Sequence, residues 1–166
     1  MATLNENLAI AQLAVNKVVS VMTIGASNKI SDVLTSFYGS VICVVATRSV
    51  DIATPAHDNI PKFIRVAAAK AEHVGCGNCG EQAAIAFVFL VDRRVTPIDY
   101  MERTNADHAF VVIDRKVGSD VKDISTWGDT AVVCDPWDEK VYAASEIPSK
   151  MYGGGTFAPR SVYRHQ

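Results

Sequence analysis

Gly75-Cys76-Gly77-Asn78-Cys79-Gly80-Glu81 runs straight into Gln82-Ala83-Ala84-Ile85-Ala86-Phe87-Val88-Phe89-Leu90, and this stretch decides the fold. The glycines stop one helix and open another. The run that follows predicts a helix from about Glu81 to Val91, apolar nearly all round, which has to lie at the centre of the molecule. A helix start presents unpaired N–H groups and the positive end of the helix dipole, both of which favour a thiolate. Cys79 lies at that start.

Toward the N-terminus, residues 6 to 24 predict a helix with Leu8, Ala11, Val15, Val18, Val19 and Met22 on one face. Gly25-Ala26-Ser27-Asn28 ends it. Asn28 or Ser31 is a cap for a second helix through Val33, Leu34 and Phe37, with Gly39 as its stop. The β-branched run 41–46 fits a strand or a continued helix. Asp51 to Asn59, with Pro55, reads as a loop, and Pro61 to His73 as a helix with Phe63, Ile64, Val66 and Ala67 inward. Toward the C-terminus, the period changes to two after Pro97. Strands are predicted at His108–Ile113, at 130–134 and over 140–144, with a polar loop between the first two. The tail from Gly153-Gly154-Gly155 through Pro159 to Gln166 reads as irregular. Helices first and antiparallel strands afterwards predict one α+β domain over residues 1–166, with N-terminal helices and a central helix packed on a small sheet. The first 70 residues are expected to form the helical half, because their apolar face needs burial.

The chain of 166 residues has a net charge of −2, 49% hydrophobic and 20% charged residues, and a pI near 6.1. That balance gives no electrostatic reason to expect a nucleic acid. No apolar run reaches the roughly 18 to 20 residues of a membrane span, and Met1 to Asn7 lacks the basic n-region of a signal peptide. The expectation is a soluble protein, cytoplasmic or exported without a cleaved signal. Of the four cysteines, Cys43 and Cys134 lie in apolar runs and read as small buried hydrophobes. Cys76 and Cys79 are left as candidates for chemistry.

A cysteine nucleophile needs a base beside it and a group to orient the base. His108 opens an apolar strand, and Asp135 ends the next one, with Pro136 stopping the ladder. Cys79, His108 and Asp135 therefore form a candidate triad: nucleophile, general base and acid, and orienting carboxylate. Asp107 and Asp129 are rivals for the last role. Trp137 is a candidate wall for the His–Asp pair or plain core packing, and Glu81 a capping acid. His57, His73 and His165 lie in less suggestive places. Two other chemistries compete. Cys76 and Cys79, with His73, offer part of a zinc site but no second CxxC. A redox CxxC wants a strand before it, and here the preceding segment is helical.

These residues resemble the papain-like cysteine peptidase superfamily. Cys76-Gly77-Asn78-Cys79 matches its Cys-Gly-small-Cys pattern, with Cys79 in the nucleophile position. Asn78 stands where Ser or Ala is usual, and Gly80 where an aromatic is usual. His73 occupies the place of the oxyanion glutamine, so the resemblance leaves Asn78 or Gln82 to supply that donor. His108 follows Cys79 by 29 residues and Asp135 follows His108 by 27. This compact layout looks like the minimal papain-like domains of bacterial toxins and effectors, which include proteases, protein-glutamine deamidases and transglutaminase-like enzymes. The resemblance covers about residues 72–140. It implies covalent thiol chemistry without cofactor or metal, a protein substrate, and a possible cognate inhibitor or immunity protein. A non-catalytic binding or immunity module, or a zinc-stabilised CxxC domain, is the alternative.

Overall fold

The computed structural model describes residues 2–49, 59–151 and 157–166. The Asp51–Asn59 loop (Asn59 excepted), His57 and the Gly153 to Gly155 segment lie outside the described residues. Among the described residues there are six α-helices and one five-stranded antiparallel sheet. The fold class is α+β. No helix among them is long and apolar enough to cross a membrane.

Helix α1, Leu4–Val21, starts at a capping box: Thr3 Oγ1 accepts from Glu6 N, and Glu6 accepts from Thr3 N. It buries Asn7, Ala11, Ala14, Val15 and Val18. Val19, expected inward, is 48% exposed, because the burying face is narrower than the apolar stripe. Helix α2, Ile30–Thr35, is shorter than predicted, and α3, Gly39–Ser49, begins at the glycine expected to be a stop. Phe37 and Tyr38 take positive φ between them and turn the chain. The 41–46 run is therefore helix, not strand. This pair also departs from the expected burial. Helix α2 buries nothing and α3 buries only Ser40 and Val44, while Ile30, Phe37 and Ile42 are 80%, 90% and 70% exposed.

Helix α4, Ile60–Val74, is capped by Asn59, whose side chain accepts from Lys62 N, and buries Ile64, Ala68 and Ala71. Gly75 ends it at φ +75, where a side chain would also meet Thr23. The turn after it is sewn to the end of α1. Ile24 N donates to Gly75 O at 2.8 Å and Gly77 N to Gly25 O at 3.3 Å. A Cβ at Gly77 would lie 2.6 Å from the Glu81 Cβ, so close packing against Glu81 requires glycine there. Helix α5, Cys79–Asp92, buries Cys79, Gln82 to Phe87 and Leu90. It packs on α4, on α1 and on the sheet.

The strands are β1 Ile98–Arg103, β2 His108–Ile113, β3 Val132–Asp135, β4 Lys140–Ala143 and β5 Pro159–His165, in spatial order β4-β3-β2-β1-β5. A short helix α6, Ile147–Lys150, follows β4. The sheet is buried on both faces. Ala109, Val111, Ile113, Val132 and Cys134 join the helices. Phe110, Val112 and Val133 join Trp127, Ile147 and Met151 on the other side. Strand β5 overturns the irregular tail, and β1 was not predicted. A buried charge cluster holds both. Asp99 on β1 is fully buried. It accepts from Arg115 Nη2 at 2.9 Å, Arg164 Nη1 at 2.9 Å and Ser161 Oγ at 2.8 Å. Asp99→Asn removes the anion from two shielded guanidinium groups. It should cost about 3–5 kcal/mol of unfolding free energy, measured by urea denaturation; a loss under about 1 kcal/mol contradicts this account of β5.

Candidate active site

Cys79 is the first residue of α5, with Asn78 as its N-cap residue. The cysteine is a free thiol, 6% exposed. Its Sγ lies 3.7 Å from the carbonyl oxygen of Asp107, the residue before β2. Cys76 is not free. It is bonded to Cys43 of α3. Cys43 is thus a half-buried disulfide partner rather than a buried hydrophobe. The bond removes the Cys76 sulfur from both the zinc reading and a Cys76–Cys79 redox pair. Cys134 is buried as expected, and burial pushes its thiol pKa up.

His108 and Asp135 are brought together by sheet geometry. His108 shares the parity of Phe110 and Val112 on β2, and Asp135 that of Val133 on β3. Alternation puts both on one face. The register pairs Val111 with Cys134 and Val112 with Val133. Extended by one pair, it sets Asp135 opposite Phe110 and diagonal to His108, within side-chain reach. His108 Nε2 lies 2.7 Å from Asp135 Oδ2, with the two side chains 14% and 5% exposed. A carboxylate holds Nε2 as the N–H, so in the neutral ring Nδ1 carries the lone pair. Cys79 and His108 line the same cavity. Asp135 Oδ1 also accepts from Asp138 N at 3.3 Å, which fixes the carboxylate.

Aromatic rings hold the imidazole on two sides. Phe110 stacks on it at 6.0 Å and 16°, and Trp137 meets it edge-on at 5.7 Å and 69°. Trp137 Nε1 donates to Asn28 Oδ1 at 2.9 Å, so the connector after α1 fixes this wall. Asn78 faces the same cavity as Cys79. Its Oδ1 accepts from Ser27 N and Oγ at 2.9 and 3.0 Å, which turns the amide nitrogen the other way. Glu81 receives Asn78 N at 2.9 Å and pairs with Arg48 at 2.8 Å, so it caps the helix.

Two expected supports lie elsewhere. Gln82 is buried, with Nε2 donating to Gly77 O at 3.0 Å, and does not line the Cys79 cavity. His73 is exposed on the last turn of α4. Of the rival acids, Asp107 is exposed at the rim and Asp129 is exposed in the loop before β3; neither bonds His108. His165 is in β5.

Two cavities meet at the His108 ring. One, of about 260 Å³, is lined by Asn78, Cys79, Gly80 and Arg103 among others. The other, of about 470 Å³, is lined by Asp135, Trp137, Lys150 and again Arg103. His108, Asp107 and Arg103 border both. Arg103, Ser27 and Tyr100, whose hydroxyl donates to Gly80 O at 2.9 Å, were not found in the sequence. Their only signal is strand register and loop contact, which need the fold. No protein family, curated protein or solved structure matches the chain.

Burial pulls the His108 pKa down, but the Asp135 carboxylate that accepts from its ring and the nearby Cys79 sulfur push it up to about 9. The folded pKa is above the ordinary value of about 6.5. The stability from the charged ring is therefore full below about pH 6.5 and lost as pH rises through 9. Imidazole NMR should show His108 titrating near 9, and lower in both Asp135→Asn and Cys79→Ser. An unchanged titration in Asp135→Asn would contradict the pairing.

Proposed function

We propose that this chain is a thiol-dependent amide hydrolase of papain-like type acting on a protein, as a cysteine protease or a protein-glutamine deamidase. The observation that carries the reading is the 2.7 Å His108–Asp135 contact beside the free Cys79 thiol. The papain-like assignment rests on the cysteine at the head of a buried helix and on the His and Asp from adjacent antiparallel strands.

The Cys79 proton passes to His108 Nδ1 before attack, giving the thiolate–imidazolium pair that the raised His108 pKa favours, and the thiolate sulfur then attacks the amide carbon. The oxyanion is met by the Cys79 N–H, unpaired at the helix start, and by the Asn78 amide nitrogen. His108, held by Asp135, then gives the proton to the leaving nitrogen, and amine or ammonia departs. Water attacks the thioester, giving its proton to His108, and the acid and free thiol are regenerated. An amine in place of water would form a new amide instead. An effector-like role inside a target cell and a cognate inhibitor belong to this same reading.

The test is alkylation by iodoacetamide near pH 6 with mass-spectrometric mapping. Cys79 should react alone, Cys134 being buried and Cys43–Cys76 bonded. His108→Ala should slow that reaction by about 100-fold or more. Cys79→Ala should abolish amide hydrolysis of protein substrates; new chain termini indicate a protease and ammonia release a deamidase. If Cys79 reacts no faster than free cysteine, the catalytic reading fails and a non-catalytic binding module replaces it.

A further inference from the structure

The cleft contains a cation that no carboxylate among the described residues neutralises. Arg103 is the last residue of β1 and the direct register partner of His108. Its side chain borders both cavities that meet at the His108 ring. Nη1 donates to Met151 O at 3.1 Å. Nε is buried and has no hydrogen-bond partner. No carboxylate among the described residues lies within ion-pair distance of it. Arg48, Arg65, Arg115, Arg160 and Arg164 each have one. Arg93 and Arg94 lack one but are exposed, so water solvates them. The acids around Arg103 are occupied: Glu102 by Arg160, Asp135 by His108, Asp138 by Lys140. Asp107 is at the rim, exposed, beyond ion-pair reach.

A partly desolvated guanidinium is costly without an anion, and its planar fork suits a carboxylate. Met151 O occupies Nη1 and Nε is buried, so a carboxylate in the cleft can be met only through the outer Nη edge of the guanidinium. We infer that Arg103 is a specificity-determining residue that binds a carboxylate of the substrate close to the amide attacked by Cys79. The cleft continues on both sides of Arg103, so the carboxylate belongs to an acidic side chain rather than to a chain end. This inference rests on the amide-hydrolase reading, and it deepens it: the substrate is a protein segment with Asp or Glu beside the reacting amide.

The test compares two alkylating agents that differ mainly in charge. Second-order rates of Cys79 modification by iodoacetate and by iodoacetamide are measured at low salt in the wild type, Arg103→Gln, Arg103→Lys and Asp107→Asn. The iodoacetate-to-iodoacetamide ratio should fall about fivefold in Arg103→Gln, as loss of one partly screened charge pair predicts. It should be largely kept in Arg103→Lys and should rise in Asp107→Asn, where the rim anion is gone. The iodoacetamide rate itself should change less than about twofold, since the triad is untouched. An equal ratio in wild type and Arg103→Gln overturns the inference, and so does an equal loss in Arg103→Lys. If iodoacetamide fails to modify Cys79 in every variant, the amide-hydrolase reading itself is overturned.

Discussion

Helix α5 has no polar face to give to water, and its burial constrains everything around it. Cys79, Gln82 to Phe87 and Leu90 are all inside. Each large apolar side chain in that set contributes about 1.5–3 kcal/mol on burial. The helix can satisfy this only with α1 and α4 on one side and the sheet on the other. Its N-terminus then emerges at one end of the sheet, where β2 begins. That single placement brings Cys79 to His108. The turn before the helix is held by backbone hydrogen bonds to residues 24 and 25 and by the Cys43–Cys76 bond. The Cys79 thiol is therefore held in a fixed position beside His108.

Two carboxylates on the sheet, both almost fully buried, show how environment assigns roles. Asp99 is surrounded by two guanidinium groups and a hydroxyl. It is saturated, and it clamps β5 and the Arg115 loop to β1. Asp135 meets one imidazole and one backbone N–H at the end of β3. Its partner is itself a titrating group that borders a cleft. A saturated buried ion cluster serves architecture, whereas a carboxylate spent on one histidine changes what that histidine can do.

The segment from residue 26 to 49 is tied to the site along its inner side. Ser27 holds Asn78, Asn28 holds Trp137, Lys29 pairs with Glu139, and Arg48 pairs with Glu81. Its outer side carries Ile30, Leu34, Phe37, Tyr38, Ile42 and Val45, each more than half exposed. The order of this strap thus comes from polar and covalent ties to the walls of the cleft rather than from core packing.

The α+β class, the extent of α1, α4 and α5 to within two or three residues, and strands β2, β3 and β4 were legible in local pattern. So were the positions of Cys79, His108 and Asp135 at a helix start and two strand ends, because these are local features. Strands β1 and β5 were not. Ile98 to Arg103 and Pro159 to His165 carry charges that look solvent-facing, and only the meeting of Asp99 with Arg115 and Arg164, 16 and 65 residues away, draws β1 inside and ties the half-buried edge strand β5 to it. Cys43 looked like a buried hydrophobe because nothing in its neighbourhood announces Cys76. Gln82 and His73 were placed by their distance along the chain from Cys79, but α4 and α5 turn those side chains elsewhere. Asn78, Trp137 and Arg103 depend on partners across the fold. The residue types and their periodicity determined which groups can do chemistry and on which elements they stand. The long-range register and the packing of one all-apolar helix decided which of those groups meet, because distances between strands and loops are set by tertiary contacts and not by position in the chain.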